Sequence, residues 1–370
     1  MAFFRRAEVS VLAEDTALLV ALQGASKLLR LNGTASRIWE LLEHPITLEG
    51  LCDRLVGEFP GEQADIAVSV GRFLEDLQAR GLVEIRECAP TAVEVHRQRY
   101  LWLLKRALVN LIYPEHDLRI RFLETAPTRG ENDKLEQQRF LRDIRYRQPD
   151  RFAALVAAKE NGTETSLRFP HTMIGLSGLD NLERCAEQIF AERVAGDFLE
   201  AGVCAGGAAI FLRALQVAFG ESHRRVWAAD SFQGLPPPQA EPDVRHKLDF
   251  TESCQPWFAF SMEGVRDNFA RYDLLDDRVC FLPGWFSDTL PAAPIEQLAL
   301  LRIDADLYQS TREVLEALYD KVVAGGFVIV DDYGAFLACR QAVDEFRAAR
   351  RIAEPLRRVD RHRVFWRKQA

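Results

Sequence analysis

Four aspartates follow two apolar segments whose composition is typical of buried strands. Asp304 and Asp306 come directly after the first segment, and Asp331 and Asp332 after the second. Parallel strands end at the same edge of a sheet, so we expect these carboxylates to lie together and to repel one another unless something neutralises them. Oxygen ligands favour a hard cation such as Mg²⁺, and Mn²⁺ takes the same ligands. The alternative is that the aspartates cap helices or lie in solvated loops.

A glycine-rich turn follows another predicted strand and precedes an apolar helix. Glu200 lies at the end of the strand, and Gly202, Gly206 and Gly207 follow it. Glycines permit a tight turn and let the backbone approach a ligand closely, although many such turns are purely structural. An acidic residue before the first glycine is typical of S-adenosylmethionine sites, where no pyrophosphate has to be held.

Further candidate contacts lie after other predicted strands. Asp230 ends the next strand, and its two carboxylate oxygens can accept both ribose hydroxyls, unless it is only a loop residue. Trp285 either flanks an adenine ring or belongs to the core. His171 is a candidate base, although a structural histidine is the more common case. The remaining candidate contacts with the cofactor are Thr172, Met173, Ile174, Ala201, Ser231, Gly284 and Asp304, which is thus a candidate both here and for the cation.

The elements that must position these residues alternate between strands and helices. Candidate strands occur at residues 197–201, 225–229, 279–283, 298–303 and 326–330, and residues 364–366 fit an added edge strand. Helices lie between most of them, which indicates an α/β fold with a mostly parallel sheet covered on both faces. We expect residues 181–370 to form this core and residues 91–180 to form a helical cap, whose polar part could act as a lid.

Residues 1–90 predict a separate, small α+β unit. Short alternating strands precede three helices that begin near Thr34, Thr47 and Asp65, and Gly81 stands where a left-handed C-cap would lie. A strand at residues 82–85 completes a hairpin followed by a winged-helix-like bundle. We place the domain boundary near residue 90.

The composition excludes several classes of protein. The chain has 370 residues, 48% of them apolar, and a net charge of −8. These values argue against general disorder and against the broad positive field of a nucleic-acid-binding protein. Seven cysteines with no CxxC pair support neither a zinc knuckle nor a disulfide framework, and suit a reducing compartment. Neither a signal peptide nor a membrane span is visible, so we expect a cytoplasmic protein.

Several motifs in order resemble the macrocin-type (TylF/MycF) O-methyltransferases, which are class I methyltransferases with a Rossmann-like, mostly parallel seven-stranded sheet. The similar segments read YLWLLKRALVNLIY, HTMIG, FLEAGVCAGGA, WAADSFQGLPPP, GWFSDTLP, RIDADLYQST, GGFVIVDDYG and VFWRK. The resemblance implies that residues 200–207 and Asp230 hold S-adenosylmethionine. It also implies that Asp304, Asp331 and Asp332 hold Mg²⁺ or Mn²⁺, with Asp304 or Asp306 helping to deprotonate the acceptor.

Residues 8–87 resemble PqqD, a peptide-binding fold that serves as a recognition element in the modification of ribosomally made peptides. The similar segments read LLRLNGTASRIWELL, ITLEGLCDRLVGEFP and VGRFLEDLQARGLVEI. In that family a leader peptide adds a strand to the hairpin, so residues 17–22 and 72–78 would lie beside the groove. The alternative is a dimerisation domain or a stabilising one.

Three functional hypotheses follow. The first is a methyltransferase that acts on a ribosomally made precursor peptide, with the N-terminal domain holding the leader. The second keeps the enzyme but methylates a sugar or polyketide hydroxyl, the N-terminal domain docking a carrier or partner protein. The third is a binding protein with a degenerate methyltransferase fold. We also expect a homodimer, for which the apolar helix near residues 94–112 suits an interface, and expect neither nucleic acid nor membrane as a partner.

Overall fold

The computed structural model describes residues 2–6, 9–14, 17–22, 28–43, 46, 48–58, 63–86, 92–125, 131–163, 170–250 and 259–369. The chain divides into two compact units, Met1–Val95 and His96–Ala370. The division lies near the boundary expected at residue 90. Each unit has its own apolar core.

The first unit combines two small sheets with three helices. Its elements are β1 (Ala2–Arg5), β2 (Val9–Glu14), β3 (Ala17–Leu22), β4 (Leu29–Asn32), α1 (Thr34–Leu41), α2 (Leu48–Glu58), α3 (Gln63–Ala79) and β5 (Val83–Arg86). Strands β2, β3 and β4 form one antiparallel sheet in that order, and β1 pairs with β5. The expected start of the second helix at Thr47 lies outside the described residues, whereas Gly81 has the predicted positive φ, 69°.

The core of the first unit follows the apolar periodicity of its elements. Val20, Leu31, Trp39, Leu51 and Leu74 are fully or almost fully buried and belong to one cluster. Because β3 pairs on both sides, it cannot accept an added strand. Among the described residues, the free edges of this sheet are therefore β2 and β4, which corrects the expectation that residues 17–22 border a strand-adding groove.

The second unit contains a seven-stranded sheet. Its strands are β6 (Asp197–Ala201), β7 (Val226–Asp230), β8 (Val279–Pro283), β9 (Leu298–Ile303), β10 (Val322–Val330), β11 (Arg357–Arg358) and β12 (Val364–Arg367). Their order is β11-β12-β10-β9-β6-β7-β8, with β6 to β10 parallel and β12 antiparallel to β10. The predicted Rossmann-like, mostly parallel sheet is confirmed, and the two-residue strand β11 was not predicted.

The remaining helices precede the sheet or connect its strands, and the first of them, α4, begins four residues before the second unit. They are α4 (Ala92–Leu108), α5 (Glu115–Thr125), α6 (Glu131–Arg142), α7 (Ile144–Arg147), α8 (Pro149–Glu160), α9 (Gly175–Ala191), α10 (Gly207–Phe219), α11 (Glu241–Arg245), α12 (Met262–Arg271), α13 (Phe286–Thr289), α14 (Tyr308–Leu318) and α15 (Leu337–Arg350). The polar segment expected as a lid is largely helical, and it holds a small apolar cluster of its own around Leu118, Ile144 and Leu155.

Two apolar clusters cover the two faces of the sheet. Successive strand residues alternate between them: Leu300 belongs to the cluster with α9 and α10, and Leu301 to the cluster with α14 and α15. This alternation is the period-two pattern of a sheet buried on both sides. Within the described residues, no helix has both the length and the apolar character needed to cross a membrane.

Candidate active site

The parallel strands β6, β7, β9 and β10 end beside one cavity of about 560 Å³. Ligands of open α/β sheets bind at the carboxyl ends of the strands, so this is the expected place for a site. The predicted site residues that line the cavity are Thr172, Met173, Ile174, Glu200, Gly202, Asp230, Ser231, Gly284, Trp285, Asp304, Asp306, Asp331 and Asp332, together with His171. Ala201, Gly206 and Gly207 are not among the lining residues.

Three of the predicted carboxylates form a compact cluster. One oxygen from each of Asp304, Asp331 and Asp332 lies within 4.8 Å of the others. Asp331 and Asp332 are buried, and burial together with the neighbouring carboxylate of Asp306 raises the pKa of Asp332 well above its usual value. A set of carboxylate oxygens at this spacing has the chemistry that a hard divalent cation requires.

Asp306 lies beside this cluster and is not part of the three-oxygen set. Its backbone has a positive φ of 55°, and its N–H donates to Asp332 Oδ2 at 3.1 Å. Burial, and then the negative charge of Asp304, raise the pKa of Asp306 to about 8. The side chain is therefore ready to exchange a proton near neutral pH.

Two buried arginines hold the carboxylates in place. Arg302 on β9 donates to Glu200 Oε1 at 2.5 Å and to Asp331 Oδ1 at 2.6 Å, and its Nη2 lies 3.0 Å from Asp304 Oδ2. Arg363 donates to the same Oδ1 of Asp331 at 2.7 Å. Burial alone would raise the pKa of Asp331, but Arg363 and Arg302 outweigh it and hold that pKa below its usual value.

Neither arginine was assigned a role from the sequence. Arg302 stands two residues before Asp304 on a buried strand, and a charge on a buried strand normally needs a partner. Its position in an apolar run could therefore have predicted a buried ion pair for Arg302. Nothing in the sequence pattern connects Arg363 with Asp331, because the contact depends on β12 folding back beside β10.

Glu200 has one oxygen engaged by Arg302 and one oxygen without a partner. The residue is 2% exposed, and its Oε2 makes no hydrogen bond within the described part of the chain. Burial raises the pKa of Glu200 to about 8, against the opposing effects of Arg302 and of the backbone N–H of Ala209 in the first turn of α10. An unpartnered buried carboxylate oxygen is costly, and a cationic group of a ligand would satisfy it.

Asp230 ties the glycine-rich turn to the next loop. Its Oδ2 accepts from the N–H groups of Val203 and Cys204, and its Oδ1 accepts from that of Phe232 at 2.7 Å. Since Oδ2 already accepts from two N–H groups, Oδ1 is the oxygen that keeps acceptor capacity for a ligand. The same carboxylate can therefore order the turn and accept from a ligand.

The segment at His171 is attached to the start of α10. Gly207 N donates to the carbonyl of His171 at 2.9 Å, and a Cβ at Gly207 would come within 2.4 Å of that oxygen. The His171 ring bonds Tyr272 through Nδ1, at 2.7 Å from its hydroxyl. Burial lowers the pKa of His171, so the ring is neutral at pH 7. These contacts favour the structural role over that of a base.

The remaining predicted residues lie around the same cavity. Trp285 is 37% exposed and lines it, so it does not belong to the core. Ser231 donates to the carbonyl of Gly234 at 2.7 Å and thereby shapes the loop after β7. The carbonyl of Ala201 accepts from Asp304 N at 2.8 Å, which aligns the ends of β6 and β9.

Comparison with known proteins decides the family. The family model described as Macrocin-O-methyltransferase (TylF) matches residues 97–368. The chain belongs to this family. Members named among its relatives are O-methyltransferases, and this chain is an S-adenosylmethionine-dependent O-methyltransferase.

Three curated relatives of this O-methyltransferase carry related names. The 8-demethyl-8-(2,3-dimethoxy-alpha-L-rhamnosyl)-tetracenomycin-C 4'-O-methyltransferase of Streptomyces olivaceus is 42% identical over 74% of this chain and 94% of its own length. The Demethyldecarbamoylnovobiocin O-methyltransferase of Streptomyces niveus is 48% identical over 53% and 75%. The Mycinamicin III 3''-O-methyltransferase of Micromonospora griseorubida is 43% identical over 59% and 86%.

A solved relative has the same architecture. The O-methyltransferase NovP is 38% identical, with a TM-score of 0.60, and the match covers 74% of this chain and all of that one. A second family model, Coenzyme PQQ synthesis protein D (PqqD), matches residues 8–83. The predicted fusion of these two families is therefore confirmed.

The residues of the cavity fit S-adenosylmethionine. The free Oε2 of Glu200 suits the ammonium group of the methionine part, because it is buried and has no partner in the described structure. Gly202 has a positive φ of 89°, which lets the backbone turn sharply beside the cavity. Glu200 and Asp230 thus present acceptor oxygens on the side of the cavity formed by β6 and β7.

Proposed function

We propose that this chain transfers the methyl group of S-adenosylmethionine to a hydroxyl group of a sugar or polyketide natural product, with Mg²⁺ or Mn²⁺ at Asp304, Asp331 and Asp332. The observation that carries the proposal is the three-carboxylate cluster in the same cavity as Glu200 and Asp230. One cavity then holds acceptors for the cofactor on one side and ligands for a cation on the other. A bound divalent cation would lower the pKa of an alcohol that it contacts.

The protein's own residues would bind, orient and deprotonate. Glu200 and Asp230 would hold the cofactor in the cavity that they line. The cofactor would supply the methyl group: its carbon–sulfur bond would break, with the electron pair left on sulfur, as the methyl carbon is bonded to the acceptor oxygen. Asp306 would take the hydroxyl proton, since it lines the same cavity outside the three-oxygen set, whereas Asp304 is already held by Arg302.

The relatives support a sugar hydroxyl as the acceptor. One of them is named for position 4' of a rhamnosyl tetracenomycin, a second for position 3'' of mycinamicin III, and the third for demethyldecarbamoylnovobiocin. The cavity also suits a hydroxyl compound, because Ser287, Gln309 and Glu313 line it beside the carboxylates and can hydrogen-bond to neighbouring hydroxyls.

The N-terminal unit has no counterpart in the best-covered relatives. The match to the tetracenomycin enzyme spans 94% of that protein but 74% of this chain, and the match to NovP spans all of NovP. We propose that this unit docks a carrier or partner protein. Its β2 edge supports docking, because Val11 and Leu12 are 44% and 63% exposed on a strand that pairs with β3 alone within the described residues.

A precursor peptide is the second candidate substrate. The match of residues 8–83 to PqqD is the observation that favours it. An extended leader would then add a strand at the β2 edge, with backbone hydrogen bonds giving affinity. The relatives' names favour the first candidate for the methyl acceptor.

One assay separates the two candidates. The full-length chain is incubated with methyl-labelled cofactor and Mg²⁺ and offered an aryl α-L-rhamnoside, the fully acetylated rhamnoside as a matched control, or the short peptides encoded beside its gene. We expect a methyl ether on the free glycoside only. Transfer to a peptide and not to the glycoside would favour the second candidate. Undiminished turnover in EDTA would refute the requirement for a divalent cation.

The docking surface needs a separate measurement. Val11→Arg on β2 should weaken binding of a carrier protein or a fluorescent leader peptide to the full-length chain, while Val93→Arg, at a valine that is more exposed (70% against 44%), should not. Equal binding by both variants would remove the β2 edge from the proposal.

A further inference from the structure

Arg302 lies at the centre of the sheet and bridges its two neighbouring strands. In the strand order β10-β9-β6, β9 is the middle strand, and Arg302 pairs in register with Glu200 on β6 and with Ile329 on β10. Its guanidinium therefore reaches a carboxylate at the end of each neighbour. With 1% of its surface exposed, the charge depends almost entirely on these partners.

The two partners belong to different halves of the cavity. Glu200 belongs to the cofactor side of the cavity. There, Nη1 of Arg302 donates to Glu200 Oε1, and Glu200 Oε2 makes no hydrogen bond within the described structure. Asp331 belongs to the three-carboxylate cluster, where Nη2 of Arg302 and Nε of Arg363 both bind Oδ1. With Oδ1 occupied twice, Oδ2 is the oxygen of Asp331 that remains for a cation.

We propose that Arg302 is a positioning residue that couples the cofactor half of the cavity to its metal half. It holds Glu200 and Asp331 at once, so a change in the charge at one carboxylate alters how strongly the guanidinium binds the other. The inference deepens the proposed function and rests on it, because it requires a cation at Asp304, Asp331 and Asp332.

The sign of the coupling follows from charge. When a ligand's ammonium group neutralises Glu200, Arg302 is drawn toward Asp331 and Asp304, where it competes with the cation. Binding of the cofactor and of the cation should therefore weaken each other by the same factor, as linkage requires. A planar guanidinium with two separate donor edges can bridge two carboxylates, whereas the single ammonium of lysine cannot hold both in fixed geometry.

The test measures binding and needs no acceptor. The full-length chain is titrated by calorimetry with S-adenosylhomocysteine and with Mg²⁺, each in the absence and presence of the other. The titrations are made at pH 8.5, where Glu200 is ionised to a large extent. In the unaltered chain we expect each ligand to lower the affinity of the chain for the other ligand by about fivefold or more.

Variants then assign the coupling to Arg302. Glu200→Gln should lower the affinity for Mg²⁺, although Glu200 is not in the metal cluster. In a chain that also carries Arg302→Met, the same substitution should have a smaller effect on that affinity. Arg302→Lys should keep the chain folded and bring the coupling factor toward one. The matched control is Arg224→Met. Arg224 is another buried arginine and is ion-paired with Glu221. Both residues precede β7, whose other end faces the cavity. Arg224→Met should change stability without changing the coupling.

The possible outcomes differ for the two proposals. If the unaltered chain binds S-adenosylhomocysteine but no Mg²⁺, both the metal part of the proposed function and the coupling are wrong. If it binds both ligands, and Glu200→Gln and Arg302→Lys leave the Mg²⁺ affinity and the coupling factor unchanged, only the role of Arg302 is overturned. If Arg302→Met does not fold, the coupling factor of Arg302→Lys decides the question, because removing the charge of Glu200 also acts directly on Asp304 and Asp331.

Discussion

Gly202 lies directly against the carbonyl group of Asp304, so that a Cβ at Gly202 would come within 1.7 Å of that oxygen. The contact joins the cofactor turn after β6 to the first aspartate after β9. It is possible only because Gly202 has no side chain and because it adopts a positive φ of 89°.

Replacing Gly202 by alanine should therefore be severe. We expect Gly202→Ala to lower the free energy of unfolding by about 2–5 kcal/mol, from backbone strain and overpacking together, and to abolish S-adenosylhomocysteine binding. Gly71→Ala is the control, since a Cβ there meets nothing within 4 Å and the residue lies inside α3. Urea unfolding and calorimetry measure both effects, and normal cofactor binding by Gly202→Ala would contradict the structure.

Asp332 is the cleanest position for testing the cation. Asp332→Asn should reduce Mg²⁺ affinity by at least the roughly 10–100-fold typical of supporting residues around metal sites. Its Tm should be unchanged or higher, because burial and neighbouring charges raise the pKa of Asp332 and make its ionised form unfavourable. Thermal unfolding and Mg²⁺ titration check this.

Asp331→Asn provides the contrast. It leaves Arg302 and Arg363 without a shared buried carboxylate, so it should also lower stability, by the roughly 3–5 kcal/mol that follows from breaking a buried pair. Equal stability of the two variants would show that the Arg302–Asp331–Arg363 contacts contribute little.

Asp306 should be needed for turnover and not for binding. Because its side chain is outside the three-oxygen cluster, Asp306→Asn should lower kcat by about 10²–10⁴-fold, as expected for loss of a general base, with S-adenosylhomocysteine affinity retained. Asp288→Asn, at an exposed carboxylate on α13, is the control. Unaltered kcat in Asp306→Asn would assign proton removal elsewhere.

The stability of the metal-free chain should fall as pH rises. The pKa values of Glu200 and Asp306 are each about 8 in the folded protein, above those of unfolded carboxyl groups. Folding therefore favours their protonated forms, and this contribution is complete below about pH 4 and is lost as pH rises toward 8. In EDTA we expect a lower Tm at pH 8.5 than at pH 6. Each kcal/mol lost from the free energy of unfolding should lower the Tm by about 2–4 °C.

Mg²⁺ should reverse most of that loss, since a cation favours the ionised carboxylates. Scanning calorimetry at both pH values, with EDTA or with Mg²⁺, measures it. A metal-free Tm that rises between pH 6 and pH 8.5 would contradict these raised pKa values.

We propose that α4 forms a homodimer interface. Tyr100, Trp102 and Leu103 are 39%, 57% and 53% exposed on this helix. Introducing charge with Trp102→Glu and Leu103→Glu together should shift the sedimentation coefficient to that of a monomer, whereas Val217→Glu, at a valine of α10 that is 50% exposed, should not. A monomeric unaltered chain would refute the interface.

Local sequence pattern was sufficient for much of this molecule. Strands such as β9, buried on both faces, must be continuous apolar runs, so their positions and the acids at their ends were predictable. Asp304, Asp331 and Asp332 could be grouped because parallel strands end at one edge. The glycine-rich turn at residues 200–207 was predictable because Gly202 and Gly206 adopt positive φ values of 89° and 92°, a conformation that favours glycine.

Tertiary structure alone decided which of these groups touch. Strand order is not chain order: β9 lies between β6 and β10, and this order places Arg302 between Glu200 and Asp331. The carboxylate of Asp306 is outside the three-oxygen cluster, and its backbone has a positive φ of 55°, although its spacing from Asp304 had grouped the two. The pattern of residue types along the sequence indicates burial and local conformation. Contacts between distant residues depend instead on how the strands pair and how the chain folds back on them.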